Sequence, residues 1–272
     1  MSSNNDLEKG STQQFDRPPI QLSSEQYEKL FLQPGGRAPT GTLSYRFGNP
    51  TPLPILGYLL VLTPTACYLM DWGGADATSL VAICGPFYFL GGLCMVIGGV
   101  MEWILGNTFP FVVFTSFGGF WYVVPHPPLP NVLKHLHPRL SLGVINDPMH
   151  AVASAYSGGA AAVAYNKGLM FYFVFWAVTV TIFFVGSLRT NVVFALIFFT
   201  LIPTFIFLAA GYGRLGLGDA DYARTLLKAA GAFAFANVCF AWYLITSLIM
   251  RTVEMPFTLP VGDLSHFLAK RS

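Results

Sequence analysis

Charge is what this sequence has least of. Asp, Glu, Lys and Arg make up 10% of its 272 residues, against 54% apolar and 15% aromatic residues. Water-soluble domains carry about 25% charged residues. The chain is long enough to enclose an aqueous core but lacks the charge to coat one. Its formal net charge of +2 is too small to argue for a nucleic-acid partner, and no basic run interleaved with aromatics occurs. Cysteine is scarce as well. Cys67, Cys84, Cys94 and Cys239 all sit in apolar runs and form no C-x-x-C pair. They read as small core residues, with no metal or redox centre. Nucleotide-binding, nucleophile-elbow and zinc-protease patterns are missing too, so neither an enzyme nor a cofactor is indicated. His126, His135 and His137 have an H-x8-H-x-H spacing that fits no closed zinc site. The first 45 residues are polar and lack the apolar core of a signal peptide; they read as a disordered tail.

Long apolar runs are what the sequence does have. Six are expected to span a bilayer: about Pro52–Met70, Thr78–Leu105, Phe109–Val124, Gly168–Ser187, Val192–Gly213 and Leu226–Met250. About 20 apolar residues cross the hydrocarbon as a helix. The expected fold is an all-α membrane protein with a tail at 1–45, a six-helix domain at 46–250 and a C-terminal tail at 251–272. A long proline-rich connection occupies 125–167; its small-residue stretch "AVASAYSGGAAAVAY" reads as a loop or a re-entrant or interfacial piece. The acidic loop "DWGGADAT" has no Lys or Arg, which places it outside and both termini in the cytoplasm. Glycines in the second span and alanines in the sixth supply the small surfaces that membrane helices pack with.

Three prolines crowd the stretch "NPTPLP" at 49–54. Proline is tolerated in a first helical turn, whose N–H groups lack intrahelical partners. Asn49 is therefore expected to cap a helix that begins at Pro50. A second polar start lies at "GNTFPF", with Asn107 as cap and Thr108 beside it. Helix starts carry partial positive charge and free donors, which suits small anions. Asn49, Pro50, Thr51, Asn107, Thr108, Thr115 and Ser116 form the expected substrate-binding group. Glu102 is the one acid in the second span. Such a residue is costly in a membrane and serves either proton coupling or structural pairing.

"NPTPLPILGY" resembles the N-P-[AV]-P-[LF]-G-L signature of the acetate uptake transporter family, also called the YaaH or succinate–acetate permease family. "GGLCMVIGGVMEWILGNTFPFVVFTSFGGFW" at 91–121 is similar to that family's second conserved block, and "WAVTVTIFFVGSLRTNVVFALIFFTL" at 176–201 to its fourth and fifth helices. The resemblance implies six helices with cytoplasmic ends and a homo-hexamer with one pathway per protomer. It also implies uptake of acetate and similar short carboxylates, proton-coupled in fungal members, across the plasma membrane. By position, Tyr58, Phe117 and Leu201 fall on the family's apolar pore constriction. The chain departs from the pattern at Thr51 and Pro54 in the signature, at Phe117 in place of tyrosine, and at Pro110 and Phe111, as a divergent member does. The function expected is a transporter or channel-like permease for short monocarboxylates. The alternatives are ammonia or ammonium transport on the same fold, and a non-transporting membrane sensor of acetate adaptation.

Overall fold

The computed structural model describes residues 47–123 and 159–264, and every described regular element is a helix. The expected N-terminal tail, the three histidines, most of the 125–167 connection and the last eight residues lie outside the described residues. Helix α1 covers Pro52–Leu69. After it come two 3-10 turns, Trp72–Gly74 and Ala77–Ile83, and a short turn Cys84–Pro86. A π-helical stretch, Phe87–Cys94, then runs into α2, Met95–Ile104. Helices α3 (Thr108–Val123), α4 (Gly159–Ser187), α5 (Val192–Leu215) and α6 (Ala220–Thr252) follow.

Five stretches are long and apolar enough to cross a membrane: α1, Phe87–Ile104, Val163–Ser187, α5 and α6. Helix α3 has only 16 residues. At about 1.5 Å per residue it reaches ~24 Å, less than the roughly 30 Å hydrocarbon core. The second span begins at Phe87 rather than Thr78, because Gly85 and Pro86 interrupt the chain before a regular helix can form. The fourth begins earlier than expected: Gly159 to Lys167 already belong to α4, so the alanines at 160, 161, 162 and 164 are part of a helix.

Packing is close where glycine meets backbone. A Cβ on Gly57 of α1 would lie 2.4 Å from the Leu90 carbonyl oxygen in the π-helical stretch. A Cβ on Gly98 would lie 2.5 Å from Pro54 Cδ. These contacts hold α1 against the second span. Helix α6 then packs along α1 and α5, and α4 along α5.

Each end of the bundle has its own fastening. At one end Asp71 accepts hydrogen bonds from Arg224 (2.8 Å) and sits 2.8 Å from Lys228, tying the end of α1 to the start of α6. The acidic loop and these two cations thus share an end. At the other end the chain after α6 folds back over the start of α5. The Val192 N–H donates to the Gly262 carbonyl (2.9 Å) and the Val193 N–H to the Val261 carbonyl (3.3 Å). Asn191 caps the same helix by accepting from the Phe194 N–H at 2.8 Å. Tyr243 and Ser247 of α6 donate to the carbonyls of Pro260 and Leu259, so residues 259–262 form a clasp between α5 and α6.

Candidate functional site

The start of α1 differs from the sequence expectation. The helix begins at Pro52, two residues beyond Pro50, and Asn49 stands outside it. The Asn49 side-chain oxygen accepts from the Thr51 N–H at 3.0 Å, an Asx-type turn that leads into the helix. The donors are also spent. Pro50, Pro52 and Pro54 have no N–H, and the N–H groups of Leu53 and Ile55 go to the carbonyls of Pro50 and Thr51. This helix start therefore offers no free backbone N–H among residues 50–55.

Thr51 and Asn107 meet on one carboxylate. The Thr51 hydroxyl donates to Glu102 Oε1, and Asn107 Nδ2 donates to Glu102 Oε2 at 2.5 Å. Glu102 is 0% exposed. The carboxylate thus joins the start of α1, the end of α2 and the start of α3. Asn107 Oδ1 and Thr115 Oγ1 are buried without a partner among the described residues. The Thr115 hydroxyl lies over Gly99, where an added Cβ would come within 2.4 Å of it. Ser116 donates to the Val112 carbonyl of its own helix (2.6 Å), Thr108 is exposed, and Pro50 is buried.

A different set of side chains surrounds space. Two cavities, of about 100 Å³ and about 40 Å³, lie inside the bundle. Tyr58, Phe117 and Leu201 line both of them. The larger cavity extends toward the Asp71 end, past Leu69, Leu80 and Leu227. The smaller extends toward the Glu102 end, past Ile55, Met95 and Phe194, and all its other lining side chains are apolar as well. A water needs roughly 10–15 Å³ measured this way, so each cavity can hold a solute of a few heavy atoms. Asn49, Pro50, Thr51, Glu102, Asn107, Thr108, Thr115 and Ser116 line neither cavity.

The three shared residues are held in different ways. Phe117 packs against Trp176 and Phe183, with ring centroids 5.1 and 6.1 Å away. Leu201 projects from the middle of α5 and is buried. Tyr58 is buried, and its hydroxyl donates to Asn237 Oδ1 on α6. Asn237 Nδ2 in turn donates to the Ile197 carbonyl of α5 at 2.6 Å. Asn237 is 0% exposed and escaped the sequence reading. It is the only amide side chain in "LLKAAGAFAFANVCFAWYLITSLIM", and a polar residue inside a membrane segment was the signal that could have found it. Thr65 and Thr204, on the wall of the larger cavity, donate to the Val61 and Thr200 carbonyls of their own helices.

Comparison with known proteins agrees with this architecture. The model of the GPR1/FUN34/yaaH family matches residues 31–126 and 139–266. Protein alcS of Aspergillus fumigatus is 36% identical over 260 residues, covering 93% of this chain and 88% of that protein. The acetate transporter protein patA of Penicillium expansum is 30% identical, covering 83% of this chain and 81% of its own. The ammonia transport outward protein 2 of Saccharomyces cerevisiae is 27% identical, over 82% and 71%. The solved structure of the bacterial acetate channel SatP overlays with a TM-score of 0.56 at 23% identity, covering 79% of this chain and 99% of that one, and shows the shared fold. With a family model spanning most of its length and relatives this similar, the chain belongs to the GPR1/FUN34/yaaH family.

Proposed function

We propose that this protein is a multi-pass membrane permease for short monocarboxylates, acetate first among them. The observation that supports the reading is that Tyr58, Phe117 and Leu201 line both of two cavities within a single protomer, which we take as an apolar neck between them. Tyr58, Phe117 and Leu201 bound a passage running from the Asp71 end to the Glu102 end. An apolar constriction excludes hydrated ions by dewetting and passes a small solute that sheds its water briefly. Acetate fits because it is small and half apolar, and because relatives at 30% and 28% identity are named as acetate transporters.

The finer expectations belong to the same proposal. Helix α3 completes the six-helix count, with the Thr108 end reaching the interface through neighbouring segments. Six copies assemble in the plasma membrane with one pathway in each, and both termini face the cytoplasm. Asn49, Pro50, Thr51, Asn107, Thr108, Thr115 and Ser116 shape the approach to the neck from the Glu102 end. Glu102 serves there as a structural pairing that orients Thr51 and Asn107. Transport of ammonia or ammonium is the second reading, favoured by the 27% identical yeast relative.

Reconstituted protein in liposomes, given labelled acetate and labelled methylammonium in separate assays, separates the readings. Acetate uptake above protein-free vesicles supports the proposal. Methylammonium uptake alone supports the second reading, and no flux of either supports the sensor. Leu201→Ala and Tyr58→Ala widen the neck, so both variants are expected to admit longer monocarboxylates such as butyrate at several times the wild-type rate. Unchanged selectivity in both variants removes the neck from the pathway.

A further inference from the structure

The geometry points to Asn237 as the residue that decides which protonation state of the solute crosses the neck: by taking the Tyr58 proton, it leaves the neck without a side-chain hydrogen-bond donor and so selects the neutral acid over the carboxylate. This inference rests on the carboxylate-permease reading and goes beyond it by assigning a new positioning residue and the transported species.

The direction of the bonds follows from the acceptor at the end of the chain. The Ile197 carbonyl can only accept, so the Asn237 atom facing it at 2.6 Å is the amide nitrogen. That fixes the amide, which at ordinary detail has two indistinguishable orientations. Asn237 Oδ1 therefore faces Tyr58, and an amide oxygen can only accept. Tyr58 has one hydroxyl proton, and it is committed to Asn237. Phe117 and Leu201 have no polar side-chain atom. On the wall of the larger cavity the Thr65 and Thr204 hydroxyls have likewise given their protons to backbone carbonyls, whereas the Trp121 indole N–H there is buried without a partner among the described residues, so the donor-free stretch is the neck itself and the smaller cavity beyond it.

A carboxylate ion needs donors to replace its water, and the neck and the smaller cavity supply none. A neutral carboxylic acid carries its own proton and loses far less on leaving water. Protonation of the solute before entry is then the step that makes passage possible, and the proton crosses with the acid. Coupling to a proton gradient follows without a titrating side chain at the neck.

Acetate-dependent current and labelled acetate uptake, measured on the same reconstituted protein, test this. Wild-type protein is expected to move label above protein-free vesicles with no acetate-carried current. Asn237→Leu releases the Tyr58 proton toward the neck and is expected to raise the current per unit of label about tenfold or more; Asn237→Ala is a smaller replacement with the same expected effect. Adding Tyr58→Phe to either variant is expected to abolish the gained current, because the donor is then gone. A loss of packing alone would not be reversed in that way. Wild-type current equal to the label flux overturns the inference, as does label flux through the Asn237 variants with no gain in current. Absence of acetate uptake by the wild-type protein defeats the carboxylate reading itself, a result distinct from both.

Discussion

Single residues divide between those that line the two cavities and those that brace the bundle. Glu102 illustrates the second kind. Its two oxygens accept from Thr51 and Asn107, and it has no access to solvent. Removing a buried hydrogen-bonded group leaves its partners unsatisfied, at about 1–3 kcal/mol each way of counting. Glu102→Ala is therefore expected to lower stability by about 3 kcal/mol. Glu102→Gln keeps the shape, and Thr51 and Asn107 can reorient to match an amide, so its loss is expected near 1 kcal/mol. Thermal unfolding in detergent micelles measures both, and equal losses would mean that shape and pairing do not matter there. Sequence alone singled out Glu102 as an acid among apolar residues but could not choose its partners. Thr51 lies 51 residues away along the chain, and only the fold brings the two together. Asn237 went unremarked for a related reason: its importance comes from touching two other helices, whereas its own neighbours along the chain, Ala236 and Val238, say nothing of them.

At the scale of elements, helix starts were legible and their chemistry was not. The prolines at 50, 52 and 54 do mark the beginning of α1, as proline in a first turn should. The inference to free donors failed because each proline also deletes an N–H, and the few that remain are used locally. The break in the second span was hidden for another reason. A π-helical stretch has the same apolar composition as an α-helix, and hydropathy cannot tell them apart. Its consequence is the approach of the Leu90 carbonyl to Gly57. Gly57→Ala is expected to destabilise by about 1–3 kcal/mol, since backbone would have to move. Gly119→Ala on α3 meets nothing within 4 Å and is expected to be neutral or to gain up to about 1 kcal/mol in helix propensity. Paired melting curves of the two variants check this, and equal shifts would contradict the contact.

For the whole molecule, composition alone was enough to assign the solvent, and repeated apolar runs the class of fold. Which helices neighbour which came from packing surfaces spread over many residues. The Asp71 cluster shows how the ends are secured. Hydrogen bonding to Lys228, and then to Arg224, holds the Asp71 carboxyl below the ordinary aspartate range. A depressed value means that the stabilisation is fully present above the unfolded value of about 3.9 and is lost as pH falls through the lower folded value. Stability is therefore expected to be insensitive to this group between pH 7 and pH 5. Asp71→Asn is expected to melt below the wild type at neutral pH and to converge with it once acid takes the pH through the lowered folded value. High salt should narrow the gap, since the cluster is open to solvent. A gap that persisted in strong acid would argue that the carboxyl charge plays no part.

The fold-back at the opposite end bears on how the protein is made. The Val192 and Val193 amides at the head of α5 find their acceptors in Gly262 and Val261, which leave the ribosome after every helix described here. Until then the first turn of α5, the helix that carries Leu201, is held by the Asn191 cap alone. The head of α5 is thus completed by a late-arriving segment, and a nascent chain halted after α6 would hold every described helix while still lacking that clasp.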